Sequence, residues 1–281
     1  MTLDQLVTGV RPGDFAVFDA DGTLWTGDVT ESLFASLVQR DLRFDRLPDS
    51  LQPYPAHPGE DPFSYYLRIT KADISLGYAW IASAFAGYRL GDLVERLEAL
   101  QEEARPPSGP HGPIAAPHVR PEMVALRAAL EERGCACWIV SASPEPLVRW
   151  LATHPRFGAG FNPARIIGVD VLLHKSDATL SWGSCREHGT VPDLAALHSY
   201  KMGTLLRSPN PWFEGKVAAI RRWIAQTANP WLVAGDSLND VPMLSIAHHR
   251  VWWGSGAPPD TLGPVSVGLV RRSGGPSPVS R

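Results

Sequence analysis

Two aspartates near the start of the chain have the spacing of a metal or phosphoryl site. Asp19 and Asp21 follow the apolar run at residues 15–18, whose β-branched and aromatic side chains predict a buried strand. Gly22 indicates that the chain turns directly after them. Carboxylates at the end of a strand could hold a divalent cation with a phosphoryl group between them. The same residues would suit an ordinary Asp-Gly turn, so the pair alone leaves both interpretations open.

Three later stretches place further polar side chains beside apolar elements. Ser141 and Ser143 follow an apolar strand, and Lys216 lies at the start of an amphipathic helix. Asp236 and Asp240 follow a second apolar strand, in the form Gly-Asp-X-X-X-Asp. Catalysis at phosphate monoesters depends mainly on positioning and on neutralising negative charge, for which these side chains are suited.

In this order and spacing, the four stretches resemble the motifs of the haloacid dehalogenase-like (HAD) superfamily. The forms Ser-Ala-Ser-Pro-Glu and Gly-Asp-Ser-X-X-Asp are most similar to the branch that contains phosphoserine phosphatase, of the IB type. The resemblance implies an α/β fold with a Rossmann-like parallel sheet core. It also implies a mainly helical C1 cap inserted between the first two motif strands.

The resemblance assigns the carboxylates to a Mg²⁺-dependent phosphomonoester hydrolase acting on a small phosphorylated metabolite. Asp19 would be the nucleophile that becomes an aspartyl phosphate, and would also bind Mg²⁺. Asp21 would act as general acid and base, with its backbone carbonyl on the metal. Asp236 would be the second carboxylate on the metal. Asp240 would complete the metal site or orient its waters.

A hydroxyl and an amine complete the predicted site. Ser141 would bind a phosphoryl oxygen because it directly follows the apolar strand, and Ser143 is the alternative hydroxyl. Lys216 would neutralise charge on the phosphoryl group and on Asp19. The predicted substrate-binding residues are Gly22, Thr23, Trp25, Glu31, Ser141 and Lys216.

The order of elements predicts a core with an insertion. Helices are expected over residues 29–40 and from 62 to 103, with Asp61 and Pro62 starting the second helical run. From residue 121 helices alternate with strands, as in a parallel sheet, although residues 181–213 predict irregular structure. These patterns predict a core of residues 1–27 and 119–256, a helical cap of residues 28–118, and a partly disordered tail of residues 257–281.

The cap is expected to recognise the substrate. Carboxylate and aromatic side chains in and beside the cap could hold a cationic or ring-bearing group, although packing in the cap's own core is the favoured interpretation for most of them. These residues are Trp25, Glu31, Tyr65, Tyr66, Tyr78, Trp80 and Tyr88. Glu31 could instead close a capping box with Asp28. Phosphoserine phosphatases bind their amino acid with a Glu and an Arg; Glu31 matches loosely and no Arg matches, so phosphoserine is one candidate.

Composition excludes several classes of partner. The 281 residues are 44% hydrophobic and carry a net charge of -3, so the chain lacks the excess of positive charge expected of a protein that binds nucleic acid or an anionic membrane. No window approaches the ~20 apolar residues of a membrane span, and the start of the chain has no signal pattern. The three cysteines do not suggest a disulfide framework. We therefore expect a cytoplasmic monomer or homodimer.

Four alternatives share parts of this pattern. A dehalogenase would use Asp19 without metal or Asp21, so the remaining aspartates argue against it. A phosphotransferase would use the same residues with an alcohol as acceptor. A phosphonatase would need a cap lysine, for which Lys71 is the candidate. A binding protein without activity would not need a complete set of catalytic residues.

Overall fold

The computed structural model describes residues 3–40, 42–47 and 52–267 of an α/β protein. The predicted fold class is confirmed, because the central sheet is mostly parallel and helices alternate with its strands. The strands are β1 (Phe15–Phe18), β2 (Trp25–Thr26), β3 (Ser108–Gly109), β4 (Gly112–Pro113), β5 (His118–Val119), β6 (Ala136–Pro144), β7 (Ile166–Lys175), β8 (Ala178–Leu180), β9 (Lys201–Arg207), β10 (Leu232–Gly235), β11 (His249–Trp252) and β12 (Ser266–Val267).

β1 lies at the centre of the eight-stranded sheet, which has the order β12-β11-β10-β1-β6-β7-β8, with β9 paired to β7. β1 pairs in parallel with β10 on one side and with β6 on the other. All four of its residues are buried, as expected for a strand covered on both faces. The carboxyl ends of these three strands share one edge of the sheet, where ligands bind in open α/β sheets.

Ten α-helices are present among the described residues, besides short 3-10 turns. They are α1 (Leu3–Val7), α2 (Val29–Arg40), α3 (Pro62–Ala72), α4 (Ile74–Ser83), α5 (Leu90–Glu102), α6 (Pro121–Glu131), α7 (Glu145–Thr153), α8 (Trp182–Glu187), α9 (Glu214–Trp223) and α10 (Val241–Ser245). The predicted start of α3 is confirmed, since the Asp61 carboxylate accepts from the amides of Phe63 and Ser64. No helix of the described part of the chain has the length and apolarity needed to cross a membrane.

Helices α2 to α5 form the layer that covers the carboxyl edge of the sheet. Phe34 of α2 is the centre of its packing, with Phe63, Tyr66, Trp80 and Phe85 all within ring contact. The chain enters this layer through β2 and returns through β5, and these two strands pair with each other in antiparallel orientation. The two connections between the layers therefore run side by side.

The prediction of irregular structure over residues 181–213 is wrong in two places. This segment contains α8 and also β9, which pairs with β7 through Leu173 and Met202. Local pattern did not reveal β9, because its pairing partner lies about thirty residues earlier and a strand is stabilised mainly by that partner. The first part of the predicted tail ends in β12, at the edge of the sheet. The rest of the tail lies outside the described residues.

Candidate functional site

Asp19 lies just beyond β1, at the carboxyl edge of the sheet. Its amide donates to the carbonyl of Ala234 at 2.9 Å, which fixes the backbone, and only 6% of the residue is exposed. Its carboxylate accepts a hydrogen bond from Nζ of Lys216. Burial and then the neighbouring charge of Asp240 raise the pKa of Asp19 well above its usual range, despite the opposing effect of Lys216. Asp19 is therefore a buried carboxylate that needs a cation to stay ionised.

Lys216, in the first turn of α9, supplies such a cation and has no exposed surface. Besides Asp19, its Nζ contacts Oδ1 of Asp240 at 2.6 Å and the carbonyl oxygen of Val140 at 3.3 Å. Burial acts to lower the pKa of Lys216, but the two carboxylates outweigh it and raise the pKa. The side chain is therefore charged and fixed in position.

Asp236 and Asp240 differ in how far their oxygens are engaged. Oδ2 of Asp240 accepts from the amides of Asp236 and Ser237, at 3.0 and 3.1 Å, and its Oδ1 accepts from Lys216. Asp236 is half-buried, with the hydroxyl of Thr23 at 3.4 Å from its Oδ1. Burial and then the charge of Asp240 raise the pKa of Asp236 to about 7.

The carboxylates fit a divalent cation. Ligand oxygens of Asp19, Asp236 and Asp240 lie within 4.8 Å of one another, and all three are hard oxygen donors, which Mg²⁺ prefers. The raised pKa values of Asp19 and Asp236 have a cause that a bound cation would remove, namely buried negative charge. Among the described residues, Asp240 is the one of the three with both carboxylate oxygens bonded to protein donors, which favours an orienting role for it.

Gly22 is required by the close approach of the turn after Asp21 to Asp236. Its φ is +77°, and a Cβ at this position would lie 2.1 Å from Oδ2 of Asp236. Its carbonyl accepts from Nη2 of Arg120 at 3.1 Å. Thr23 is fully buried next to it, so its hydroxyl faces Asp236 rather than the cavity.

Asp21 is held by three donors. Its Oδ1 accepts from Nε1 of Trp25 at 2.8 Å and from the amide of Val29 at 2.7 Å. Its Oδ2 accepts from the hydroxyl of Ser143 at 2.6 Å. Burial raises the pKa of Asp21 in spite of these bonds. Trp25 has no exposed surface, so it orients Asp21 and offers no face to a substrate.

The two candidate hydroxyls of β6 have different surroundings. Ser141 is 1% exposed, lies near the Val140 carbonyl that Lys216 contacts, and its hydroxyl accepts from the amide of Ser143 at 3.1 Å. Ser143 lines the cavity and touches Asp21. Both therefore lie near the carboxylates, and Ser141 stays the predicted phosphoryl ligand.

A cavity of about 390 Å³ lies between the carboxyl edge of the sheet and the helical layer. Asp19, Asp21 and Asp236 line it from the sheet side, and Tyr66 and Tyr78 line it from α3 and α4. Other residues of the predicted aromatic set, Tyr65 and Trp80, are buried in the layer's own packing. The alternative proposed for the aromatic set is thus correct for those two.

Glu31 also lines the cavity, from the first turn of α2. The hydroxyl of Tyr66 donates to its Oε1 at 2.9 Å, and burial raises the pKa of Glu31. Asp28 caps α2 by accepting from the amides of Thr30 and Glu31, at 2.7 and 2.8 Å. The carboxylate of Glu31 is thus held by Tyr66, at the cavity surface, rather than by the start of its own helix.

Sequence reasoning missed Arg120, and it gave Asn239 of the fourth motif only a supporting role. Arg120 follows β5 and reaches Gly22 across the connection between the layers, and no motif marks it. Oδ1 of Asn239 accepts from the amide of Phe213 at 2.6 Å, which fixes the residue before α9 at the unusual φ of +48°. The Asn-Asp pair that ends the Gly-Asp-X-X-X-Asp stretch was the available signal for Asn239.

Comparison with known proteins gives matches over most of the chain. Residues 16–206 match the haloacid dehalogenase-like hydrolase family. Phosphorylcholine phosphatase of Pseudomonas aeruginosa is 34% identical over 241 residues, which cover 80% of this chain and 68% of that protein. A conserved protein of unknown function from Anaerococcus prevotii has a TM-score of 0.58 and 17% identity, covering 89% of this chain and 84% of its own.

A HAD-family hydrolase from Salmonella enterica has a TM-score of 0.50 at 12% identity, covering 87% of this chain and 63% of its own. At such low identity, the two structural matches support the fold alone.

Proposed function

This chain is a phosphatase of the haloacid dehalogenase-like hydrolase family, and we propose that it uses Mg²⁺ and an aspartyl-phosphate intermediate to hydrolyse a small phosphomonoester that carries a cationic amine. The observation that carries the proposal is that Asp19 and Glu31 line one cavity. A phosphoryl group and a cation of one small molecule could therefore be held together. Phosphorylcholine is the first candidate, since it is the substrate named for the relative with 34% identity.

Asp19 and Asp236 would hold Mg²⁺, with the backbone carbonyl of Asp21 as a further ligand. Asp240 orients Asp236 by accepting a hydrogen bond from the backbone amide of Asp236, and it also accepts one from Lys216. When bound, the metal supplies positive charge that neutralises the phosphoryl oxygens and Asp19. The cluster of three carboxylate oxygens within 4.8 Å supports this assignment.

The chain's own residues perform the remaining steps. Asp19 attacks phosphorus, Ser141 holds a phosphoryl oxygen, and the fixed positive charge of Lys216 neutralises negative charge on Asp19 and on the phosphoryl group. Asp21 gives its proton to the departing alkoxide oxygen and then takes one from the water that hydrolyses the aspartyl phosphate. Trp25 and Val29 keep the carboxyl group of Asp21 in place.

The cationic end of the substrate would meet Glu31, Tyr66 and Tyr78. The carboxylate of Glu31 provides negative charge, and aromatic faces attract ammonium groups. Tyr66 holds Glu31 in one orientation. Asp28 adds a further, half-buried carboxylate to this wall of the cavity, and desolvation raises its pKa as well.

A phosphonatase is disfavoured because Lys71 is exposed and does not line the cavity. Phosphoryl transfer to an alcohol would use the same residues as hydrolysis. It is detected by supplying alcohols with the substrate and analysing products for a new phosphate ester.

The test is phosphate release from phosphorylcholine, phosphoethanolamine, phosphoserine, a sugar phosphate and p-nitrophenyl phosphate, with Mg²⁺ and with EDTA. We expect metal-dependent release that is fastest for the cationic esters and abolished in Asp19→Asn. Glu31→Gln should raise KM for phosphorylcholine by about tenfold, the scale of a charge-assisted contact, and change KM for p-nitrophenyl phosphate much less. Equal activity in EDTA would contradict the metal requirement, and a preference for uncharged esters would contradict the cationic substrate class.

A further inference from the structure

Two buried hydroxyls connect the helical layer to Asp21. Thr30, in the first turn of α2, donates from its hydroxyl to that of Ser143 on β6, at 2.6 Å. Ser143 donates in turn to Oδ2 of Asp21, also at 2.6 Å. Thr30 and Ser143 are only 3% and 5% exposed, and both lie at the wall of the cavity. An unbroken chain of hydrogen bonds thus runs from α2 through β6 to Asp21.

The two oxygens of Asp21 are not equivalent. Oδ1 accepts from an indole N–H and a backbone N–H, and neither group can accept a proton in return. A proton on Oδ1 would face two donors, which is unfavourable. Oδ2 accepts only from Ser143 among the described residues, and Asp21 lines the cavity. The proton that Asp21 exchanges is therefore carried on Oδ2.

Thr30 determines the direction of the Ser143 hydroxyl. A serine hydroxyl has one proton and rotates freely when nothing restrains it. Because the oxygen of Ser143 accepts the proton of Thr30, its own proton is directed to Asp21. With Oδ2 held on one side in this way, its remaining lone pair has a fixed direction.

We propose that Ser143, oriented by Thr30, is a positioning residue that aims Oδ2 of Asp21 at the oxygen of the leaving group. The proposal rests on the proposed function, since it needs Asp21 to act as acid and base. In the first step Asp19 forms a bond to phosphorus while the bond from phosphorus to the ester oxygen breaks. The electron pair of that bond goes to the ester oxygen, which takes the proton from Oδ2.

In the second step the proton returns to Oδ2. A water oxygen bonds to phosphorus, the bond from phosphorus to Asp19 breaks with its electron pair returning to the Asp19 carboxylate, and the water proton passes to Oδ2. Alcohol and phosphate are the products, and Asp21 ends as it began. Ser143 keeps the same orientation in both steps because its donor, Thr30, takes no part in the reaction.

The proposal predicts a dependence on the leaving group. An alkoxide such as that of choline is a poor leaving group and needs the proton, whereas p-nitrophenolate leaves without one. If Oδ2 is no longer directed at the leaving-group oxygen, hydrolysis of alkyl esters should therefore become slower, whereas hydrolysis of the aryl ester should change little. General acid catalysis typically accelerates a reaction by about 10²–10⁴-fold. Partial misalignment of Oδ2 in Ser143→Ala should therefore lower kcat/KM for phosphorylcholine by about 10–100-fold. For p-nitrophenyl phosphate we expect a decrease of less than about threefold.

Position 30 offers a matched pair of variants. Thr30→Val keeps the shape and removes the hydroxyl, and we expect a selective loss of about 3–10-fold on the alkyl ester. Thr30→Ser keeps the hydroxyl and should behave as the wild-type protein. Ser32→Ala is the control for a buried hydroxyl of α2, because Ser32 is fully buried and its hydroxyl donates to the carbonyl of Val29 within the same helix.

The experiment compares kcat/KM for both esters in the full-length protein with Mg²⁺. Selective loss in Ser143→Ala and Thr30→Val, with Thr30→Ser unaffected, supports the proposal. If Ser143→Ala does not fold, the pair at position 30 carries the test. Equal losses on both esters, or no loss, overturn it. If Asp21→Asn retains full alkyl-ester activity, or the wild-type protein hydrolyses neither ester, the proposed function fails and this inference fails with it.

Discussion

Lys216→Met removes the buried cation that lies between two carboxylates, and its effect on stability can be worked out from the site. Among the described residues, Lys216 is the one cationic side chain within ion-pair distance of Asp19 and Asp240. Methionine has a similar length and fills the space without charge. Removing one partner of a buried ion pair destabilises a protein by about 3–5 kcal/mol, because the remaining charge is left uncompensated. We expect the lower end at neutral pH, since the raised pKa of Asp19 allows it to take up a proton instead.

Urea titration in EDTA measures this free energy of unfolding. Lys201→Met, on the exposed part of β9, is the control and should change it by less than about 0.5 kcal/mol. The loss in Lys216→Met should be smaller at pH 5 than at pH 8, because a carboxylate with a raised pKa is protonated first at low pH. Added Mg²⁺ should restore part of the stability by binding the folded state. A free energy of unfolding equal to that of the wild-type protein at pH 8 would refute the argument that Lys216 compensates buried charge.

Three further predictions concern the metal loop, the carboxylates and the cationic end of the cavity. Gly22→Ala should raise the Mg²⁺ concentration needed for half-maximal activity by about 10–100-fold, because the new Cβ displaces Asp236. The control is Gly13→Ala, which has a φ of +97° and no atom within 4 Å of the new Cβ, and it should leave that concentration unchanged. Similar behaviour of both variants would contradict the clash. In EDTA, the free energy of unfolding should fall by about 2–4 kcal/mol as the pH rises through about 7. The reason is that the pKa of Asp236 is higher in the folded than in the unfolded chain, so that its stabilising contribution is complete below pH ~4 and is lost as it ionises. A free energy of unfolding, measured with urea, that stays constant between pH 4 and 8 would count against this. Tyr66→Phe should raise KM for phosphorylcholine by about 3–10-fold with little change in kcat, because Glu31 loses its orienting donor; a fall in kcat alone would show that Tyr66 acts elsewhere.

The sheet and the residues at its edge could be predicted because each has a strong local signal. Asp19 and Asp236 directly follow short apolar strands, and Lys216 begins a helix. A parallel sheet then brings the carboxyl ends of its strands to one edge, so sequence order alone predicts that these side chains meet. The family resemblance supplied the roles, which local pattern could not.

Contacts made across the cavity had no such signal. Glu31 has the spacing of a capping box, but its partner is Tyr66, 35 residues away on another helix. Ser143 was the second choice of phosphoryl ligand because Ser141 is nearer the apolar run, yet it is Ser143 that reaches Asp21. These contacts depend on how the helical layer is set on the sheet. That arrangement results from aromatic packing around Phe34, and no short motif encodes it.

The side-by-side connections β2 and β5 affect how the core can assemble. β1 pairs with β6, whose residues are about 120 positions away along the chain, and closing a loop of that length is slow and entropically unfavourable. Pairing of β2 with β5 brings the two ends of the insertion together and leaves about 27 residues to close. By the logarithmic dependence of closure entropy on loop length, this lowers the entropic barrier to joining β1 and β6 by about 1 kcal/mol. An insertion that folds first therefore acts on the core as a short loop, which is how a layer of this size can interrupt the central strands without slowing their pairing.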